Sequence, residues 1–190
     1  MEVFLRLKHW HLFLITFGVP FLLQIILAII TLATNDYMII LQVMPFVMFL
    51  FFAGYFGWLW AIGQEFQKML PGNLKFSLAP FKFFLLFPVV YVLFFFFMLD
   101  FFVVNMEDEL EPSLNIFFTI IPLHLFAMFC IFYCIYFAAR TFKATELQRP
   151  VVFTDFVGEF LMIWIFPLGI WFIQPRINKM IAEKTGTNGY

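Results

Sequence analysis

Charged residues are scarce in this sequence. Asp, Glu, Lys and Arg make up 12% of its 190 residues, against about 25% in a typical soluble domain. Apolar residues make up 64%, which is more than a soluble fold of this length can hide from water. Lipid must therefore cover the surface, and the chain is predicted to be an integral membrane protein. A net charge of −1 without a basic aromatic patch gives no indication of a nucleic-acid partner.

Cysteine is equally scarce: Cys130 and Cys134 lie in one apolar run, and they make neither a disulfide framework nor a zinc site. His124 is about 240° around the helix from Cys130, which excludes a Cys–His catalytic pair in that helix. His9 and His11 lie on opposite helix faces and are not a metal pair. HExxH, GxSxG and phosphate-binding glycine motifs are absent. The sequence therefore predicts no enzyme, no metal and no cofactor.

Four apolar stretches are long enough to cross a bilayer, since a helix needs about 20 residues to span about 30 Å of hydrocarbon. Lipid offers backbone groups no partners, so each stretch must be helical. The sequence thus predicts an all-α membrane protein with a single polytopic domain, residues 1–190. Its four predicted spans are residues 13–32, 38–62, 83–104 and 116–137.

Basic residues are unevenly distributed between the ends of these spans. They precede span 1, lie between spans 2 and 3 and follow span 4, whereas the other two loops contain no Lys or Arg. Basic loops are retained on the cytoplasmic side, so we expect a cytoplasmic N-terminus. The residues concerned are Arg6, Lys8, Lys68, Lys75, Lys82, Arg140, Lys143 and Arg149.

A fifth hydrophobic segment, residues 156–174, is harder to place. Its uncharged run, Phe160 to Ile173, has 14 residues, or about 21 Å of helix, and runs of this length more often re-enter the membrane than cross it. We favour a re-entrant hairpin that turns at Phe-Pro-Leu-Gly, residues 166–169, with an interfacial helix starting at Pro175. The alternative is a kinked fifth span, which would place the tail, residues 175–190, outside. That outcome would break the charge rule for Arg176, Lys179 and Lys184.

The stretch "LKHW" near the start, together with "VVFTDFVGEF" and "WIFPLGIWFIQPRINK" near the end, resembles a group of uncharacterised small bacterial integral-membrane proteins. The resemblance covers about a quarter of the chain, and the group has no assigned activity. It implies a location in the bacterial inner membrane.

Ionisable residues inside apolar segments are the candidate polar sites, since each costs about 2.5–3.5 kcal/mol at the bilayer centre. Asp100 lies near the outer end of span 3 and His124 near mid-depth in span 4, so the two are able to pair if these faces meet. Asp155 and Glu159 are four residues apart at the start of the fifth segment. They are interpreted either as acids favoured by a helix start or as a cytoplasmic cation or proton site.

Small residues recur every four positions in span 2, at Ala53, Gly57 and Ala61. This spacing lets another helix approach closely, either within the chain or in a dimer. We expect the chain to contact the lipid bilayer and, in addition, either a second copy of itself or another membrane protein. Two functions remain open: a non-enzymatic membrane subunit or scaffold that works by helix packing, and a small oligomeric channel or transporter that uses the re-entrant segment and the buried ionisable residues.

Overall fold

A computed structural model describes residues 3–105 and 114–186. No strand occurs in these residues, and the predicted all-α class is confirmed. A π-helical turn, Leu14–Gly18, joins the second helix to the third, and a 3-10 turn, Gly72–Leu74, lies between the fourth and the fifth. The α-helices of the described residues are α1 (Val3–Arg6), α2 (His9–Phe13), α3 (Val19–Thr34), α4 (Met38–Met69), α5 (Leu78–Asn105), α6 (Leu114–Leu147), α7 (Phe153–Trp164) and α8 (Phe166–Thr185).

Four described stretches are long and apolar enough to cross a membrane: His9–Thr34, Met38–Met69, Leu78–Phe96 and Ile120–Leu147. The predicted membrane protein with four spanning helices is confirmed. Helices α4 and α6 run further than the predicted spans, because the sequence estimate counted apolar residues and a helix continues through polar ones. The α6 helix ends where Gln148 adopts a left-handed φ of 50°.

The turn between α3 and α4 follows from its polar residues. Asn35 takes a left-handed φ of 53°, which asparagine tolerates better than most residues and which ends α3. The Asp36 carboxylate then accepts a hydrogen bond from the Met38 backbone N–H at 3.0 Å. One free N–H at the start of α4 is thereby satisfied, and the two helices form an antiparallel pair.

The buried core lies at one end of the helices, the end that carries the basic residues. The second halves of α4 and α6 meet the hairpin of α7 and α8 there, and the largest side chains at this end are fully buried. At the other end the apolar side chains are open, as for Phe46 (74% exposed) and Phe118 (77% exposed). Only 17–28% of the most apolar stretch of each candidate span is buried within the chain. Lipid or another protein must cover the rest.

Helices α7 and α8 form a hairpin that turns at Ile165, whose φ of −85° and ψ of 66° are not helical. Pro167 has no N–H to donate to the Ile163 carbonyl, and the Tyr55 hydroxyl donates to that carbonyl at 3.3 Å instead. Gly169 lies directly against the Met162 backbone, so that any Cβ at this position would overlap the Met162 carbonyl oxygen. The chain therefore folds back sharply on itself.

Two details of the predicted hairpin are wrong. The turn is at Ile165, and residues 166–169 already form the first turn of α8. Pro175 does not start a separate interfacial helix, because α8 continues through it to Thr185. An internal proline costs a helix about 3 kcal/mol, and the full burial of Ile173 and Ile177 on either side of it offsets this cost.

Candidate functional site: a charged cluster between three helices

Four ionised side chains meet where α6, α7 and α8 come together: Lys143, Glu146, Glu159 and Arg176. We call them the charged cluster. Glu159 accepts hydrogen bonds from Arg176 at 2.8 Å and from Lys143 at 3.1 Å. Glu146 accepts from the same two donors, at 2.6 Å from Arg176 and 2.8 Å from Lys143. Each cation thus bridges both carboxylates, and the cluster is balanced.

The spacing of these residues along their helices brings them together. Lys143 and Glu146 are three apart and share a face of α6. Glu159 and Arg176 are 17 residues apart in sequence, which is about 25 Å along one continuous helix, and the turn at Ile165 brings them into contact. The contact between Glu159 and Arg176 therefore requires the hairpin.

Burial decreases across the cluster from the inside to the outside. The Glu159 side chain is 8% exposed, Lys143 19%, Glu146 29% and Arg176 37%. A buried carboxylate without a partner is costly, whereas one with two cationic donors is compensated. A cavity of about 470 Å³ lies beside the cluster and is lined by Glu146, Arg176, Lys179, Glu183 and Lys184, among others. Both signs of charge face this cavity, so it does not select one sign of ligand.

Asp155 forms a second ion pair at the start of α7. Its carboxylate receives both Arg149 guanidinium nitrogens, at 3.1 and 3.2 Å, and the Val152 backbone N–H at 3.0 Å. The contact with Val152 caps the helix, and the contact with Arg149 fixes the link from α6 into α7. Asp155 does not join the charged cluster, so the two acids do not form one site.

The pKa values of both acids follow from these contacts. Burial on its own would raise the pKa of Glu159, but hydrogen bonds from Arg176, from the Glu159 backbone N–H and from Lys143, together with the charge of Lys143, outweigh it and lower the pKa. The hydrogen bonds from Arg149 and the Val152 N–H lower the pKa of Asp155. Both groups are thus ionised at neutral pH.

The lowered pKa values predict that acid destabilises the fold. A group whose folded pKa lies below its unfolded value, about 4.5 for Glu and 3.8 for Asp, stabilises the protein fully above that value. The stabilisation is lost as the pH falls through the folded pKa. We expect the melting temperature in detergent to be steady between pH 7 and about 5.5 and to fall below pH 4.5. A variant with both Glu159→Gln and Asp155→Asn should show a shallower decline; an unchanged profile would assign the decline to other carboxylates.

His124 bonds to a partner that the sequence did not suggest. Its Nδ1 lies 3.0 Å from the Tyr91 hydroxyl, which joins α6 to α5. Asp100 lies in α5, but its side chain is outside the described residues, so the expected pairing with His124 stays a prediction. Tyr91 is three residues after Pro88 in α5. The Tyr91–His124 contact is a link between two spans.

The three small residues of α4 face different surroundings. A Cβ at Gly57 would lie 2.8 Å from the Phe4 ring, so α1 of the same chain occupies this position. Ala61 is fully buried, and Ala53 is exposed. A position between them, Gly54, lies against Thr16 of the π-helical turn, where a Cβ would be 2.6 Å from the hydroxyl oxygen. The segments that approach α4 closely at Gly54 and Gly57 therefore belong to the same chain.

A buried polar contact between α8 and the N-terminal segment was missed. The Gln174 amide, fully buried, accepts from the Trp58 indole at 2.8 Å and donates to the Phe4 and Leu7 carbonyls at 2.9 Å each. Asn178 donates to the Leu5 carbonyl at 2.7 Å. These amides satisfy carbonyls in and just after the short helix α1. The signal in the sequence was a Gln and an Asn four apart, one helical turn, at the end of an apolar run.

Comparisons with protein-family models, with curated proteins and with solved structures give no match for this chain. Within residues 3–105 and 114–186, no group of three or more His, Cys, Asp or Glu is placed to hold a metal ion.

Proposed function

We propose that the chain is a non-enzymatic membrane subunit or scaffold that acts through helix contacts with partner proteins in the bilayer. The observation that carries this proposal is the balance of the charged cluster. Two carboxylates and two cations satisfy one another within the chain. A transport site has to exchange such a partner for an ion or a proton in each cycle, whereas a scaffold keeps it in place.

The open apolar surface supports the same proposal. The core is concentrated at the basic end, and the α3–α4 and α5–α6 pairs present large side chains outward along much of their length. Lipid can cover such a surface, and so can the helices of another membrane protein. We propose that partner helices take part of it, with Ala53 on the exposed side of α4.

We further propose a bacterial inner-membrane location, with both termini in the cytoplasm and the α7–α8 hairpin re-entering the membrane from that side. Support comes from the basic residues that gather at one end. Arg176 of α8 and Lys143 of α6 share Glu159 as an ion-pair partner, and Gln174 and Asn178 of α8 hold the N-terminal segment. These contacts bring α8 and the start of the chain to the same end of the molecule, which supports placing both on the side that retains Lys and Arg.

The proposed topology predicts reporter activities of opposite sense. A phosphatase that is active outside the cytoplasm, fused after Tyr190, should show no activity. The same reporter inserted at residues 107–111 should show high activity, because that acidic loop contains no Lys or Arg. Strong activity after Tyr190 would place the C-terminus outside and reject the re-entrant hairpin.

The subunit proposal predicts different results for two neighbouring positions of α4. Gly57→Leu should lower thermal stability, since the new side chain would meet Phe4 of the same chain. Ala53→Leu should keep stability and weaken association, because Ala53 is exposed. The measurement is particle size and composition after extraction in mild detergent, beside the melting temperature. A symmetric homo-oligomer that conducts ions in liposomes would favour the channel or transporter instead.

A further inference from the structure

Three cations at the basic end lie apart from the charged cluster. Lys75, Lys82 and Arg140 come from the loop before α5, the first turns of α5 and the end of α6. Among the described residues, none of the three forms an ion pair, whereas Lys68, Lys143, Arg149 and Arg176 all do. Positive charge is therefore uncompensated on this side of the molecule.

Arg140 and Lys82 each lie over a half-buried aromatic ring. The Arg140 guanidinium lies 4.1 Å from the centroid of the Phe76 ring, and Lys82 lies 5.9 Å from that of Trp60. The buried rings of Phe81 and Phe137 connect these two positions through the core. Trp60 stacks on Phe81 at 6.3 Å, Phe81 on Phe137 at 4.5 Å, and Phe137 meets Phe76 at 6.3 Å.

Buried donors beside Arg140 lack acceptors. The Arg140 Nε and the Gln67 Nε2 are both buried, and neither has a hydrogen-bond partner among the described residues. Gln67 is 4% exposed, and its Oε1 accepts from the Phe76 backbone N–H at 3.1 Å. The unpaired Gln67 amide nitrogen is therefore held close to Phe76, the residue whose ring Arg140 contacts. Buried donors are satisfied in the great majority of cases, and each unsatisfied one costs about 1–3 kcal/mol.

The charge and the donors indicate the chemistry of the missing group. Two buried N–H donors and a guanidinium call for an acceptor with negative charge and several oxygens, and guanidinium pairs with phosphate through two parallel hydrogen bonds. The position is the end of two membrane helices, where lipid phosphates lie, and basic pockets between helices on the cytoplasmic side suit such headgroups. A neutral headgroup such as phosphatidylcholine carries its own cation, which Lys75 and Lys82 would repel.

We propose that Arg140 and Gln67, with Lys82 and Lys75 at the rim, form a binding site for a phosphate group, supplied by an anionic phospholipid headgroup or by a soluble phosphate ester. The half-buried rings of Phe76 and Trp60 would lie beside the glycerol and upper acyl region of a lipid. This site is independent of the proposed subunit role, because it uses none of the α4 positions assigned to partner contact.

The test measures the melting temperature of the full chain in a neutral detergent with three additives: phosphatidylglycerol, phosphatidylcholine and inorganic phosphate. We expect phosphatidylglycerol to stabilise the protein more than phosphatidylcholine. Stabilisation by millimolar inorganic phosphate as well would assign the site to a soluble phosphate source, and stabilisation by phosphatidylglycerol alone would assign it to lipid. If neither phosphatidylglycerol nor inorganic phosphate has an effect beyond phosphatidylcholine, the proposal is overturned.

Variants separate this site from general attraction to charge. Arg140→Gln should weaken phosphatidylglycerol binding, measured by titration, about 10-fold or more, as expected for loss of a charged hydrogen-bonded contact. Lys82→Gln, at an exposed residue, should weaken it less and serves if Arg140→Gln does not fold. The matched control is Lys179→Gln, which removes one exposed cation at the same end and should change nothing. Equal losses for Lys179→Gln and Lys82→Gln would show non-specific attraction and overturn the proposal.

Discussion

Gly169→Ala is expected to prevent stable folding of the α7–α8 hairpin. A single methyl group at this position would overlap the Met162 backbone carbonyl, and a backbone atom cannot rotate away as a side chain does. Overpacking in a core typically costs about 1–3 kcal/mol, and we expect the upper end of that range or more. The measurements are folded yield in detergent and melting temperature.

Gly158→Ala is the control for that substitution. Gly158 lies in the middle of α7, and nothing lies within 4 Å of a Cβ built there. Alanine in a helix interior is favoured over glycine by about 0.5–1 kcal/mol, so this variant should be as stable as the wild type or slightly more so. If Gly169→Ala behaves like Gly158→Ala, then α7 and α8 do not approach as closely as described.

The hairpin also shows how far the sequence could predict this fold. Pro167 and Gly169 within a short apolar run were enough to predict a reversal of the chain, because each residue has a local conformational reason. The position of the turn at Ile165 was not predictable from them. It depends on Tyr55, a residue 108 positions away in the chain from the carbonyl it serves, and on the fit of Gly169 to Met162.

The polar contacts also divide into those that local sequence predicts and those that depend on how distant segments pack. Asp155 as a helix-start acid followed from position alone, and its contact with Val152 is local. Charge limits the partners of Glu159 to basic residues, but the packing of α6 against α7 and α8 decides that Lys143 and Arg176 are the ones that contact it. Gln174 was missed because its three partners lie more than 100 residues away in the chain. Its amide is also uncharged, so a search for ionisable residues in apolar segments does not find it.

The small residues of α4 illustrate a limit of spacing arguments. A repeat of four predicts that one helix face allows close approach, and the structure has close approach at Gly57. The spacing does not say what approaches. Here Phe4 of α1 does so, and α1 is held in place by Gln174 and Asn178 on α8. The partner was therefore set by the hairpin at the far end of the chain.

Glu159→Gln is expected to lower stability by about 2 kcal/mol while leaving partner association intact. The substitution leaves Lys143 and Arg176 with Glu146 as their remaining carboxylate, so one positive charge is no longer compensated. Hydrogen bonds to charged groups contribute about 1.5–3 kcal/mol. The value is kept within that range because Arg176 is 37% exposed and solvent screens part of the interaction. Glu183→Gln, at an exposed carboxylate of α8, is the control and should be neutral.

A second variant distinguishes a structural cluster from a transport site. Combining Glu159→Gln with Arg176→Gln removes one charge of each sign. The double variant should lose less stability than the two single variants lose in sum, because it leaves neither charge buried without its partner. A transport site would give another pattern: Glu159→Gln would melt like the wild type, since a neutral amide is less costly to bury than a charge, and would lose ion flux in liposomes. That result would reject the scaffold. Glu159 would then release Lys143 and Arg176 during a transport cycle, and the balanced charged cluster would be only one state of that cycle.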